Sequence, residues 1–233
     1  MNYVIIFAGG IGSRMGSKKP KQFMEVDNKP IIIHTIEKFD SHPQIDGIVV
    51  VCKEEYIEYC KNLMLSFQMK KVKDVIPGGN NGQQSIYFGL KYIAQNIKTS
   101  ENDIVLIHDG VRPVITSELI CQSIECVNLN GNSIAVSKAI ETVIKITPDG
   151  RLDETIDRSL CRNAKAPQCF KFNQIWHVHN KAIKDGNTEM IDSATLMSYY
   201  GYELHVTECS PENIKITTPN DFYMFKALYD NTK

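Results

Sequence analysis

Four continuous apolar runs, at residues 4–8, 47–52, 73–76 and 104–107, alternate along the first half of the chain with stretches of helical period at 31–39, 54–69 and 84–95. A strand that is apolar on both faces needs cover on both faces, and strands separated by helices pair in parallel. The pattern predicts a doubly wound α/β fold, with a mostly parallel sheet in an α/β/α sandwich and ligands beyond the carboxyl ends of the strands. Further strands are expected at 133–138, 143–146, 204–207 and 214–217, and further helices at 117–128, 172–185, 192–200 and 221–231.

One segment breaks the alternation. Residues 138–166 hold a short strand, the turn Pro148-Asp149-Gly150 and a charged piece, with no long helix. A hairpin arm projecting from the sheet and packing on a second subunit fits this stretch, as does an ordinary surface excursion. With no linker or repeat elsewhere, the 233 residues read as a single domain, 42% of it hydrophobic and able to bury a large core. The formal charge of -1 carries no basic stripe of the kind that duplex nucleic acid or an anionic membrane favours. No apolar run approaches the roughly 18 residues of a membrane span, and no secretory signal is visible. The seven cysteines are odd in number and lack C-x-x-C spacing, so reduced thiols and a cytoplasmic location are expected.

The first strand runs into Gly9, Gly10, Ile11, Gly12, Ser13, Arg14, Met15 and Gly16, then Lys18, Lys19, Pro20, Lys21 and Gln22. Glycines directly after a buried strand let backbone N–H groups close around an anion. A dinucleotide fingerprint would continue into a helix and end the next strand on an acid. Here Pro20 follows the loop and the second strand ends Val51-Cys52-Lys53. No G-K-[ST] closes the loop, which excludes the other common phosphate motif. Arg14 and Lys21 bring a guanidinium fork and an ammonium to a mobile loop, an arrangement suited to a triphosphate. Lys18 and Lys19 read equally well as a solvated run.

The fourth apolar run ends in His108-Asp109-Gly110-Val111-Arg112-Pro113. Asp109 at the carboxyl edge of the sheet suits a Mg²⁺ ion shared with phosphates, although a helix cap is also open to it. His108 reads as a structural histidine, and Arg112 could pair with an acid or reach a phosphate. Far along the chain, Lys215 falls inside the expected strand 214–217 and needs solvent, an acid or a bound anion as partner. Asp221 is a candidate cap for the last helix. The turn Gly78-Gly79-Asn80-Asn81-Gly82 leads to Ser85, which could hold a base or ribose, or simply cap.

Together these blocks resemble the cytidylyltransferases that join CTP to a polyol phosphate, in the methylerythritol-phosphate and ribitol-phosphate branches. The match spans nearly the whole chain: A-G-G-I-G-S-R-M-G at 8–16, P-K-Q-F at 20–23, N-K-P-I-I-I-H-T-I-E-K-F at 28–39, G-G at 78–79 with S-I at 85–86, H-D-G-V-R-P at 108–113, A-P-Q-C-F at 166–170, I-D-S-A at 191–194 and N-I-K-I-T-T-P-N-D at 213–221. The resemblance implies that Ala8, Gly9, Gly10 and Gly12, with Gly79, Gly82 and Ser85, recognise the nucleotide. It implies that Arg14, Lys21 and Lys215 neutralise phosphate charge and that Asp109 binds Mg²⁺ or another divalent cation. Thr142 and Arg158 on the arm, Arg112 and Asp192 would hold the acceptor, with a homodimer formed through the arm. No nucleic acid or membrane partner is implied.

Where the methylerythritol branch shows R-x-x-S-V after the double glycine, this chain has Gly82 and Ile86. A-P-Q replaces T-P-Q, Glu141 replaces an Asp, and Ile191 replaces a Thr. These departures surround the base and acceptor pockets, and the F-A-G-G and P-K-Q-F blocks look closer to the ribitol-phosphate branch. The resemblance therefore implies CMP transfer from CTP to D-ribitol 5-phosphate, giving CDP-ribitol and pyrophosphate. Methylerythritol phosphate, glycerol phosphate or another alditol phosphate stays open as acceptor, and a sugar-1-phosphate nucleotidyltransferase and a non-catalytic nucleotide sensor are the rival readings.

Overall fold

The computed structural model describes residues 1–10 and 19–231. In chain order its elements begin with β1 (Asn2–Ala8), the short hairpin β2 (Glu25–Val26) and β3 (Lys29–Pro30), α1 (Ile31–Asp40), β4 (Gly47–Cys52), α2 (Ile57–Ser66), β5 (Val72–Pro77) and α3 (Gly82–Asn96). They continue with β6 (Ile104–Asp109), α4 (Ser117–Asn130), β7 (Asn132–Lys138), β8 (Val143–Ile146), β9 (Leu152–Ile156) and β10 (Arg162–Lys171). The last are α5 (Phe172–Lys184), α6 (Ser193–Tyr199), β11 (Val206–Glu208) and α7 (Pro219–Asp230).

The main sheet has the order β11-β7-β10-β6-β1-β4-β5. β1 pairs in parallel with both β4 and β6, β4 pairs in parallel with β5, and β7 does so with β11. Only β10 is antiparallel, to β6 on one side and β7 on the other. From β1 the chain first builds outward to β4 and β5, then crosses back to β6. The order therefore reverses between β1 and β6, and a crevice opens where Ala8 and Asp109 leave the sheet.

Alternation along β1 explains the two layers. Val4 and Ile6 point into a core shared with Ile33, Ile36, Cys60 and Leu119 of α1, α2 and α4. Tyr3 and Ile5 point the other way, into a core shared with Ile86, Leu90, Ile175 and Leu196 of α3, α5 and α6. Each fully buried aliphatic side chain contributes roughly 1.5–3 kcal/mol to this sandwich. Gly89 lets α3 lie close on β1, because a Cβ there would stand 2.7 Å from Ile5 Cγ2.

Three expectations need correction. Residues 214–217 form no strand but an irregular segment, tied by Ile216 N–H donating to Val111 O at 2.9 Å. A third apolar cluster of Val26, Ile31, Val111, Ile216 and Phe225 holds this segment beneath α7. The expected arm is shorter than 138–166, because Arg162 already pairs with Lys138 and β10 rejoins the sheet there. What projects is the hairpin β8–β9, with Gly150 at φ 85° closing its turn. Thr218, not Asp221, caps α7, and Asp221 completes the capping box from the third helical position.

All seven cysteines are free thiols, and no helix among the described residues is long and apolar enough to cross a membrane.

Candidate functional site

Asp109 ends β6 opposite Phe7 of β1, at the crevice where strand order reverses. Its carboxylate is buried and meets two cations. Lys215 Nζ lies 2.6 Å from Oδ1, and Arg112 donates to Oδ2 through Nε at 3.2 Å and Nη2 at 3.1 Å. Arg112 Nη1 donates to Asn213 O at 2.6 Å, and Asn213 Nδ2 donates to Ala166 O at 2.7 Å, which locks the fork in place. Burial pushes the Asp109 carboxyl up, but Arg112 and Lys215 outweigh it and hold the group below the ordinary carboxylate range. Beside it, burial lowers His108 to about 4, so that ring is neutral at pH 7. Its Nε2 sits 3.0 Å from Arg112 O, a structural role.

Lys215 reaches this carboxylate from a segment whose next residue, Ile216, is fully buried, while the lysine side chain stays 43% exposed. The ammonium thus lies at the boundary between the protein and the crevice.

On one side of the Asp109–Lys215 pair is a cavity of about 510 Å³, lined by Ala8, Gly9, Gly10, Gly79, Gly82 and Ser85 and by the cations Lys21, Lys53 and Lys215. A one-turn 3-10 helix at Lys21–Phe23 presents Lys21: Phe23 is buried, and Gln22 Nε2 donates to Ala8 O at 2.9 Å. A Cβ added at Gly10 would lie 3.9 Å from Lys21 Cε, which fixes how near that side chain passes. The opposite wall is a stitched turn. Gly79 N–H donates to Ser85 Oγ at 3.1 Å, Ser85 Oγ donates to Asn81 O at 2.9 Å, and Asn81 caps α3 by accepting from Gln84 N–H at 2.9 Å. Asn81, not Ser85, is therefore the cap. A Cβ at Gly79 would stand 2.3 Å from Gln84 Cβ, so only glycine fits. The N-terminus of α3 adds partial positive charge on this side.

On the other side lies a cavity of about 360 Å³ that shares Phe7, Gly82, Asp109 and Lys215 with the first. Arg112, Lys165, Gln168 and Asp192 line it. Two buried amides build its wall. Gln168 Nε2 donates to Asp192 Oδ2 at 2.9 Å while its Oε1 accepts from Ala194 N–H at 3.0 Å. Gln83 Nε2 donates to Asn187 O and its Oε1 accepts from Met190 N–H, each at 2.7 Å, pinning residues 187–190 to α3. Asp192 also caps α6, its Oδ1 accepting from Thr195 N–H at 2.8 Å.

Of the residues singled out in the sequence, Ala8, Gly9, Gly10, Lys21, Gly79, Gly82, Ser85, Asp109, Arg112, Asp192 and Lys215 line one or both cavities. Arg14 and Gly12 lie outside the described residues. Thr142 and Arg158 line neither cavity. Arg158 instead donates to Ile140 O at 2.6 Å at the root of the arm. Arg112, left open between an acid and a phosphate, pairs with the acid. Lys53, Lys165, Gln83 and Gln168 escaped the sequence reading. Lys165 precedes the A-P-Q block and Gln168 ends it, the one signal that could have found them.

Residues 2–230 match the family model described as IspD, 2-C-methyl-D-erythritol 4-phosphate cytidylyltransferase. A ribitol-5-phosphate cytidylyltransferase of Vibrio parahaemolyticus is 48% identical over 231 residues, covering 99% of this chain and 96% of that one. A 2-C-methyl-D-erythritol 4-phosphate cytidylyltransferase of Clostridium novyi is 36% identical over 233 residues, covering 100% and 98%. The crystal structure of 4-diphosphocytidyl-2C-methyl-D-erythritol synthase from Anaerococcus prevotii superposes with a TM-score of 0.84 at 26% identity, covering 98% and 96%. The chain is thus matched along nearly its full length in sequence and in fold, and the protein belongs to the family of CTP-dependent polyol-phosphate cytidylyltransferases.

Proposed function

We propose that this chain transfers the cytidylyl group of CTP to D-ribitol 5-phosphate, giving CDP-ribitol and pyrophosphate. The observation that carries the reading is the pair of cavities that meet over Asp109 and Lys215. The glycine-walled cavity takes CTP, with base and ribose against the Gly79–Ser85 turn and Ala8, Gly9 and Gly10. The smaller cavity takes the acceptor. Its preference for ribitol phosphate over methylerythritol phosphate is supported by the higher identity to the relative named for ribitol 5-phosphate, 48% against 36%.

In this reading an oxygen of the acceptor phosphate attacks the α-phosphorus of CTP in line, and the bond to the bridging oxygen of pyrophosphate breaks. The nucleophile is already an anion at neutral pH, so no general base is needed. Catalysis consists of positioning and charge neutralisation. Lys215 faces both substrates and Lys21 faces the triphosphate, while Arg14, outside the described residues, is the third cation that the family resemblance implies. Arg112 holds the Asp109 carboxylate, while Lys165 and Asp192 face the acceptor.

Among the described residues no three His, Cys, Asp or Glu side chains gather into a metal site. Asp109 nonetheless fits Mg²⁺, which is usually held by one or two carboxylates and completed by substrate phosphates and water. Its oxygens accept from Lys215 and Arg112 and keep lone-pair capacity for one cation. When bound there, the ion would supply charge neutralisation on the phosphates.

The arm supports a homodimer. Ile146 stands opposite Leu152 across β8 and β9, both about 60% exposed, and Leu160 beyond them is 83% exposed. A two-stranded hairpin with this much apolar surface is marginal alone and gains by burial against a second copy, which would bring Thr142 and Arg158 toward the partner's acceptor cavity. A monomer in sedimentation at micromolar concentration would contradict this assembly. A single domain working in the cytoplasm completes the reading.

The function is tested by pyrophosphate release from CTP with a panel of ribitol 5-phosphate, methylerythritol 4-phosphate and glycerol phosphates, ranked by kcat/KM. Ribitol 5-phosphate should rank first, and release only with another acceptor would overturn the choice.

A further inference from the structure

The cavity assigned to the acceptor has two walls that the reaction, as described, leaves unexplained. His179, on α5, is 1% exposed, and Ser193, the first residue of α6, is 2% exposed. Both line this cavity. His179 Nε2 and Ser193 Oγ are each buried without a hydrogen-bond partner among the described residues. A buried polar atom left unpaired is costly, and a pair of them lining one small cavity is a reason to ask what the cavity holds.

The remaining surroundings select the chemistry. The side chain of His179 stacks on Tyr87, 6.5 Å between ring centroids, and Tyr87 in turn stacks on Trp176 at 5.6 Å. Ile86, Ile107 and Leu196 also line the cavity. Among the described residues no carboxylate hydrogen-bonds either orphaned atom, although Asp192, next to Ser193 in the chain, lines the same cavity. Burial lowers His179 to about 4, so its ring is neutral at pH 7. A neutral imidazole nitrogen and a serine hydroxyl are uncharged partners that donate or accept one hydrogen bond each. Neither supplies the opposite charge that would compensate a buried phosphate or ammonium. Their match is an uncharged group that both donates and accepts, which is a hydroxyl on a carbon chain.

Geometry gives the direction. The reacting phosphate belongs at Asp109 and Lys215, where the two cavities meet, so the rest of an acceptor must extend into the second cavity, toward α5 and α6. The cavity's volume of about 360 Å³ lies in the range of small-molecule sites. We propose that His179 Nε2 and Ser193 Oγ read hydroxyl groups of the acceptor's polyol chain and so determine which alditol phosphate is used. This rests on the reading that a polyol phosphate occupies this cavity. A polar site left unpaired by an analogue lacking the hydroxyl discriminates strongly against it, which is the form of selectivity expected here.

The test uses the full-length enzyme with CTP, ribitol 5-phosphate and analogues of it deoxygenated at successive carbons, in the wild type, Ser193→Ala and His179→Phe. Ser193→Ala removes a single atom, and thermal unfolding of both variants identifies any loss of fold. The wild type should lose roughly tenfold or more in kcat/KM with at least one deoxy analogue. Ser193→Ala should raise the KM for ribitol 5-phosphate by a similar factor, leave the KM for CTP unchanged, and show no further loss with that analogue. Ser193→Thr should restore most of the activity. The proposal is overturned if a folded Ser193→Ala enzyme keeps kcat/KM for ribitol 5-phosphate within twofold of wild type, or if it loses as much with every deoxy analogue as the wild type does. If the wild type itself turns over no polyol phosphate, the assigned function fails first, and that outcome is seen before any variant is made.

Discussion

Lys215 Nζ and Asp109 Oδ1 lie 2.6 Å apart on the line where the two cavities join, although 106 positions of sequence separate them. The ammonium is therefore held by a fixed carboxylate at a place that both substrates must reach. Replacing Lys215 with Met removes the charge and keeps most of the apolar stem. We expect kcat to fall about 10²–10³-fold, with the KM for CTP changing far less, because the interaction is needed most where charge develops. Steady-state kinetics at saturating acceptor check this, and a near-normal kcat would remove Lys215 from the chemistry.

Arg112 acts on stability as well as on the site. Its guanidinium spans Asp109 and Asn213 O inside the protein, and truncation would strand Asn213 O and leave the Asp109 carboxylate with Lys215 as its one remaining cation among the described residues. Arg112→Ala should cost about 1–3 kcal/mol of unfolding free energy, the penalty for leaving buried acceptors without their donor while Lys215 still compensates the Asp109 charge. Arg112→Lys should recover only part of it, since an ammonium cannot reproduce the fork. Denaturant titrations read both, and a loss under 1 kcal/mol for the alanine variant would contradict the locked arrangement.

The fold was legible where burial is two-sided. β1, β4 and β6 read as continuous apolar runs because the sandwich covers both of their faces, and their parallel pairing followed from the helices between them, whereas the strand order was not read from the sequence. β10 was not legible. Pro167 interrupts it at a bulge between Ala164 and Gln168, and its first residues are charged or polar because they lie at the root of the arm. The segment 214–217 misled for the opposite reason: its alternation of Ile214, Lys215 and Ile216 is produced by packing against α7 and Val111, without a neighbouring strand. Asp109 and Lys215 were found because charge at the end of, or within, an apolar run demands a partner. Gln83 and Gln168 were not, since nothing in an amide's local sequence tells that its two ends will hold a distant loop.

Two glycines of α3 should respond in opposite ways. A Cβ at Gly82 meets nothing within 4 Å, whereas one at Gly89 would stand 2.7 Å from the fully buried Ile5. Gly82→Ala should leave stability unchanged or slightly raised. Gly89→Ala gains about 1 kcal/mol in helix propensity but overpacks the core by roughly 1–3 kcal/mol, for a net loss. Thermal unfolding of the two variants distinguishes them, and equal midpoints would mean that α3 can lift off β1 at no cost.

Stability should fall in mild acid. His108 and His179 are both lowered to about 4 by burial, against an ordinary value of 6.5. The unfolded chain then binds protons that the native protein refuses, so their contribution is complete above pH 6.5 and is lost as pH falls from there toward 4. The full loss is of order 3 kcal/mol for each ring. Denaturant midpoints at pH 7.5 and 5.0 measure it, and His179→Phe should flatten part of the slope. A midpoint that is level between those pH values would contradict the neutral, buried state of these rings.

The central claim is that one catalytic junction serves two substrate cavities. A crystal structure of the complex with CDP-ribitol tests it most directly. The account places cytidine against the Gly79–Ser85 turn, the diphosphate over Lys215 and Asp109, and the ribitol chain in the cavity between Gln168 and α6. A diphosphate bound away from Lys215, or a ribitol chain lying outside that second cavity, would contradict it.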